Sequence, residues 1–429
     1  MIFVLSKPNM ADRQSSESSH SAAGPLRSSV TDADGEIALQ PVQNKSAEEP
    51  LLAESERSFE DPIYNQYKSR RKTLLSALIL LSLLCLLLTI AVGILVAPKG
   101  LVHGHRDESR WNVKNFKSFI AFGDSYTDER RMAYISLHNN TPPPPGTLLG
   151  ESFHTTSGGR IWARYVVQYT GSSDNGQWTP QMNLYNYAVG GSFCTKEIVP
   201  RVHPTLLEYA VPAFVADQDT NETSEPLFKP ELTPSNSVFS VWIGTNDLGM
   251  FAFLTDDQVR GKTLTDYTDC VYTALDGLYA AGARTFVLMN TAPLHLAPAY
   301  ANRTLHGEGK GDNNGRAEKM KELTTSANNI FRYQTPYEFT VSRRYPGAQV
   351  ALFDVWSLFH DIYFDPETYL NGTAPANVTS YITHSKETRK SPDSFLWHDN
   401  LHPSEQTDRI IAKNFVEVLN GTSKYAQYW

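Results

Sequence analysis

Four short polar patterns in this chain hold the residue types that acyl transfer requires. Gly123-Asp-Ser125 follows an apolar run at residues 118–122, and Asn186-Tyr-Ala-Val-Gly190-Gly191 overlaps the end of a second, at residues 184–188. Gly244-Thr-Asn246-Asp247 comes after the run at residues 238–243, and Asp399-Asn-Leu-His402 stands directly before Pro403. A serine between a strand end and a helix start meets free backbone N–H groups and a dipole that favour negative charge. Ser125 would attack an ester carbonyl while His402 takes its proton and later returns it to the leaving alcohol. Asp399, three residues earlier, would hold the imidazole tautomer and stabilise the imidazolium. The tetrahedral oxyanion needs donors, and the N–H groups of Ser125 and Gly190 with the Asn246 amide are the candidates. Each pattern alone recurs by chance: G-D-S or G-x-N-D in roughly one chain of this size in ten, D-x-x-H in about half. The bland alternative makes Ser125 a helix cap, Gly190 a turn and His402 a surface histidine. All of the patterns in one chain, in the order Ser, Gly, Asn, His, argue against it.

Strands alternating with helices would position these groups. Strand-length apolar runs stand at residues 118–122, 184–188, 238–243, 285–289 and 349–353, each followed within two residues by Gly, Asp or Asn. Leu264, Tyr267, Val271, Leu275 and Leu278 recur every three or four positions, as do Ile411, Phe415 and Leu419 behind the potential N-cap Ser404. This alternation predicts one α/β domain with a mostly parallel sheet, whose ligands bind beyond the carboxyl ends of the strands. Residues 139–159, 216–226 and 306–315 read as loops, and no internal repeat is present.

Composition narrows the class further. The chain has 429 residues, a formal charge of -8 and three cysteines. That acidic balance argues against a general nucleic-acid binder, and no C-x-x-C pair suggests structural zinc; neither a metal nor another cofactor is expected. Residues 1–72 are polar and nearly free of aromatics, which predicts a disordered tail; Met10 offers a second start. Between Leu74 and Ala97, 24 residues carry no charge. As a helix they would cover roughly 36 Å, enough for a hydrocarbon core of about 30 Å. Lys68, Arg70, Arg71 and Lys72 crowd one flank, while Lys99 and Arg106 lead into Asp107 and Glu108 on the other. The positive-inside rule then gives a type II topology: cytoplasmic tail 1–72, transmembrane helix 73–97, stalk 98–110, and a lumenal or extracellular domain 111–429. Sequons at Asn139, Asn221, Asn302, Asn371, Asn377 and Asn420 fall on that outer side; Asn44 in the tail is a seventh. Cys85 lies in the span. Cys194 and Cys270 lie in the outer domain, where a disulfide between them is chemically allowed.

The four blocks resemble the SGNH, or GDSL, hydrolase superfamily, from about Trp111 to Leu419. The resemblance implies a flavodoxin-like three-layer α/β/α sandwich. It makes Ser125 the nucleophile, Gly190 and Asn246 oxyanion partners, and Asp399 with His402 the rest of a triad. Phe116-Lys-Ser-Phe-Ile-Ala-Phe-Gly-Asp-Ser-Tyr-Thr-Asp128, Gly159-Arg-Ile-Trp162, Asn186-Tyr-Ala-Val-Gly-Gly191 and Trp242-Ile-Gly-Thr-Asn-Asp-Leu-Gly249 are similar to fungal acetyl esterases of carbohydrate esterase family sixteen. This narrower likeness implies a small acylated carbohydrate as substrate, with a GDSL lipase or phospholipase acting on lipid esters as the alternative. Two other classes compete. A type II anchor also suits a glycosyltransferase, for which Asp217-Gln-Asp219 would be the metal motif; a non-catalytic carbohydrate-binding module would keep the fold without turnover.

Overall fold

The computed structural model describes residues 111–174, 176–219, 226–301, 313–384 and 391–429, together with residues 70, 74–77 and 79–85. The tail and stalk expectations, and most of the residue 73–97 span, therefore lie outside the described residues. Residues 74–77 and 79–85 are helical, and among the described residues no helix is long and apolar enough to cross a membrane. Residues 100–429 form a compact unit by themselves.

Among the described residues ten strands occur in chain order: β1 (Ser118–Gly123), β2 (Ser172–Asp174), β3 (Gln177–Thr179), β4 (Asn183–Asn186), β5 (Ser237–Trp242), β6 (Thr285–Met289), β7 (Gln349–Phe353), β8 (Asn377–Tyr381), β9 (Phe395–Trp397) and β10 (Ala426–Tyr428). The main sheet runs β10-β7-β6-β5-β1-β4; all its pairs are parallel except β10 with β7. Counting only the parallel strands, the spatial order is 2-1-3-4-5, the flavodoxin-like arrangement. Chain direction reverses beside β1, so the crevice between the ends of β1 and β5 is the topological switch point. The antiparallel edge strand β10 and the small sheets β2–β3 and β8–β9 are additions that the apolar runs did not announce.

The main helices are α1 (Arg131–Leu137), α2 (Trp162–Thr170), α3 (Val211–Gln218), α4 (Leu264–Ala280), α5 (Asn313–Pro336), α6 (Val355–Phe364), α7 (Pro366–Tyr369) and α8 (Glu405–Leu419). The β1-to-β4 crossover runs opposite to the next three, so right-handed connections place α2 on one face and α3, α4 and α5 on the other. Alternation along β1 agrees. Phe119 packs on Trp162 of α2 and Phe415 of α8, whereas Phe122 packs on Phe214 of α3. β1, β5, β6 and β7 are buried throughout, as a sheet covered on both faces requires. Full burial of each such Phe is worth roughly 1.5–3 kcal/mol.

Caps set where the key helices begin. Ser404 accepts from Thr407 N–H and starts α8, while Thr263 and Asp266 form a capping box on α4. Loop 139–159 holds no regular element beyond three turns. Of the stretch at 306–315, residues 306–312 lie outside the described residues and the remainder already belongs to α5. Cys194 and Cys270 are joined by a disulfide, with Cα atoms 6.2 Å apart. Asn139, Asn371 and Asn420 are exposed and Asn377 is half-buried, whereas Asn221 and Asn302 lie outside the described residues.

Candidate active site

Ser125 comes two residues after the end of β1, whose last residue, Gly123, lies against β5. A Cβ at position 123 would lie 2.4 Å from the Trp242 carbonyl oxygen of β5, so only glycine permits this approach. Ser125 is nearly buried, at 7% exposure, and its Oγ stands 2.8 Å from His402 Nε2. On the other side of the ring, His402 Nδ1 lies 2.8 Å from Asp399 Oδ2 and 3.0 Å from Oδ1. A neutral imidazole between a carboxylate and a hydroxyl carries its proton on Nδ1, which leaves Nε2 to accept from the serine.

The Asp399–His402 turn is fixed locally. Asp399 Oδ1 accepts the N–H groups of Leu401 (2.8 Å) and His402 (2.7 Å). The loop is closed by His398 N–H on the His402 carbonyl and by a bridge between Trp397 and Pro403. Tyr126 adds a tie from the nucleophile segment: its hydroxyl donates to the Leu401 carbonyl at 2.7 Å, and its ring meets His402 edge-on. Partial burial pushes the Asp399 carboxyl up, but the hydrogen bonds and charge of His402 outweigh this and hold it below its ordinary range.

The oxyanion side differs from expectation at one atom. Gly190 N–H, the anticipated donor, is already spent on Asp128 Oδ2 at 2.7 Å. The Asp128 carboxylate, three residues after Ser125, reaches across to it, a long-range contact that the spacing of the motifs does not reveal. The next amide along is Gly191, in the left-handed region at φ 81°. Among the described residues neither Gly191 N–H nor Ser125 N–H donates to a protein acceptor. Asn246 uses one amide hydrogen on the Ser192 carbonyl (2.8 Å), which leaves the second. Among the described residues the Ser125 N–H, the Gly191 N–H and one Asn246 amide hydrogen thus have no protein acceptor, whereas the Gly190 N–H has one.

Polar side chains stitch the motifs together. Asn186 Nδ2 donates to the Thr127 carbonyl at 2.7 Å, and Asp247 Oδ1 accepts Cys194 N–H at 2.9 Å. Asp124 Oδ1 accepts Tyr126 N–H at 3.0 Å, and its carboxylate faces Thr245. Burial pushes Asp124 up to about 6, against those hydrogen bonds and the His402 charge. Burial, with the neighbouring Asp124 charge adding to it, pushes Asp247 up to about 7. Asp128 is also raised by burial, although the N–H groups of Gly190, Met132 and Arg131 pull the other way. Sequence reasoning did not assign Asp124, Tyr126, Asp128 or His203. The two aspartates and the tyrosine stood inside or beside the first motif as a usable signal; His203 offered none.

The Asp217-Gln-Asp219 pattern is built into the fold at its first residue. Asp217 is buried, accepting Gly146 N–H at 2.7 Å and the Tyr187 hydroxyl at 2.6 Å. That leaves a glycosyltransferase metal motif without its leading carboxylate.

Comparison with known proteins agrees with this geometry. The model of the family described as GDSL-like lipase/acylhydrolase matches residues 119–415, which include every motif above. An acetylesterase of Hypocrea jecorina is 37% identical over 340 residues, spanning 73% of this chain and 92% of that protein. An acetylesterase of Thermothelomyces thermophilus is 26% identical over 309 residues, spanning 71% and 89%. A GDSL esterase/lipase of Arabidopsis thaliana is 24% identical over 341 residues, spanning 70% and 89%. With its site at the switch point of the sheet and the family match running through all four motifs, the chain belongs to the GDSL-like lipase/acylhydrolase family.

Proposed function

We propose that the chain is a serine esterase that removes acetyl groups from carbohydrate by way of an acyl-enzyme. The observation that carries this is the unbroken Ser125–His402–Asp399 hydrogen-bond chain. As the Ser125 Oγ–carbon bond forms, the Oγ proton passes to His402 Nε2 and the carbonyl electrons move onto oxygen. Ser125 N–H, Gly191 N–H and the remaining Asn246 hydrogen receive that oxyanion. Its collapse breaks the ester C–O bond, and the sugar hydroxyl leaves with the proton from Nε2. Water, deprotonated by the same imidazole, then attacks the acetyl-serine and releases acetate. Acetate as the acyl group and carbohydrate as the leaving group are supported by the two fungal acetylesterases and by the motif likeness to carbohydrate esterase family sixteen.

Hydrolysis of acetyl, butyryl and long-acyl nitrophenyl esters by the purified full-length chain, beside Ser125→Ala, tests this. Turnover concentrated on acetate and abolished in the variant is expected. Preference for long acyl chains would make the enzyme a lipase, and activity untouched by the substitution would remove Ser125 from the mechanism and favour the binding module.

We further propose a type II membrane anchor, with the catalytic domain lumenal or extracellular and N-glycosylated. Its support is the uncharged run from Leu74 to Ala97, the basic residues on its N-terminal flank, and the six sequons beyond it. Protease treatment of sealed vesicles checks the topology: the tail should be cut and the catalytic domain protected.

A further inference from the structure

We infer that Asp128 and His203 are positioning residues that clamp Gly190 from its two sides, through its N–H and its carbonyl, and so aim the Gly191 amide at the oxyanion. The inference rests on the esterase assignment and deepens it. Gly190 is gripped at both of its backbone polar groups: its N–H donates to Asp128 Oδ2 at 2.7 Å, and its carbonyl accepts from His203 Nε2 at 2.7 Å. A carbonyl oxygen only accepts, so Nε2 of His203 carries the proton. In a planar trans peptide the Gly190 C=O and the Gly191 N–H point in opposite directions. Holding the carbonyl on His203 therefore turns the Gly191 N–H away from it, towards the side that no protein acceptor occupies among the described residues.

Both jaws are themselves anchored. The Asp128 carboxylate, itself three residues from Ser125, also takes Arg131 N–H (2.8 Å) and Met132 N–H (3.0 Å) at the start of α1. The nucleophile segment thereby carries the brace that sets the oxyanion peptide. His203 lies near-parallel to Phe193, with ring centroids 6.4 Å apart. At position 191 a Cβ would meet His203 Nε2 at 2.8 Å, and φ is 81°. Glycine is required there both for the backbone conformation and for the clamp to close.

The test compares His203→Met, which fills the space without a donor, with His203→Gln, which keeps an N–H donor. Nitrophenyl acetate hydrolysis and the thermal midpoint are read on the full-length chain. A misaligned oxyanion donor weakens the transition state more than the ground state, so Met should lower kcat about tenfold with KM nearly unchanged. Gln should recover most of the loss. Adding Asn246→Ala to His203→Met should cost less than the product of the separate losses, because both act on one oxyanion. Asp128→Asn, which turns an amide against Gly190 N–H, should show the same kcat-only loss. Equal kcat in the wild type and His203→Met, equal losses in Met and Gln, or fully multiplicative losses with Asn246→Ala would each overturn the inference. A wild type that hydrolyses no ester would instead overturn the esterase assignment itself.

Discussion

The acid–base half of the site and its oxyanion half are built in opposite ways. Asp399 and His402 stand three residues apart in one closed turn, and a single carboxylate both caps that turn and faces the imidazole. Ser125, Gly191 and Asn246 come from three distant segments, held in register by side chains that reach from one motif to the backbone of another. Covalent geometry keeps the first half together almost unaided. The second half depends on buried carboxylates, which are costly to desolvate and hold only while every N–H partner is in place. An enzyme of this design should lose its oxyanion geometry before its acid–base pair.

That contrast can be broken from either side. Ser125→Ala removes the atom both halves serve and should lower turnover by about 10⁶, read as nitrophenyl acetate hydrolysis. Asp399→Asn retains an oxygen to cap the turn but loses the charge and disturbs the tautomer, so kcat should fall about 10⁴ while the thermal midpoint barely moves. On the oxyanion side, Asn246→Ala should cost about 10²–10³ in kcat. Gly191→Ala should approach that loss and exceed Gly190→Ala, because an added Cβ meets His203 at 2.8 Å in the first case and Asp128 Oδ2 at 3.3 Å in the second. If Gly190→Ala proves the more damaging, the donor assignment reverts to Gly190.

Two stability measurements sharpen the comparison further. The Cys194–Cys270 disulfide closes a loop with a sequence separation of 76 and anchors the segment after the oxyanion glycines. Replacing both cysteines by serine should cost roughly 4 kcal/mol of stability in denaturant unfolding, by the loop-entropy account. The smallest effect is the pH slope. Asp124 and Asp247 are raised to about 6 and about 7, so between about pH 4 and pH 7 the folded state binds protons that the unfolded state has released. Unfolding free energy from these groups therefore falls as pH rises from about 4 to about 7 and levels off above, and the thermal midpoint should be higher at pH 5 than at pH 8. Asp247→Asn, which still accepts Cys194 N–H, should flatten that slope. Asp399, held low by His402, acts in the other direction and only below about pH 4.

The architecture was largely legible. Four of the five strand runs matched β1, β5, β6 and β7 to within a residue or so, because strands buried on both faces read as continuous apolar stretches. The fifth was placed one residue late and ended two residues late, since β4 is a sheet edge with one buried flank and pairs only through Asn186. The strands β2, β3, β8 and β10 are short and partly exposed, and so gave no apolar signal.

Residue identity and order alone determined the Gly123–Ser125 segment at the end of β1, the D-x-x-H turn and the alternation that makes a parallel sheet. Each of these is a local property: a side chain acting on its own turn, or a face repeating along one element. Only the tertiary structure decided which glycine amide is free, that Asp128 and His203 hold the N–H and the carbonyl of Gly190 before it, and that Asp124 and Asp247 sit buried with raised pKa values. Those outcomes depend on which backbone groups meet across segments 60 to 120 residues apart, as for Asp128 with Gly190 and Asp124 with Thr245. A chain specifies such meetings through the packing of its whole core, and no short window of sequence contains them.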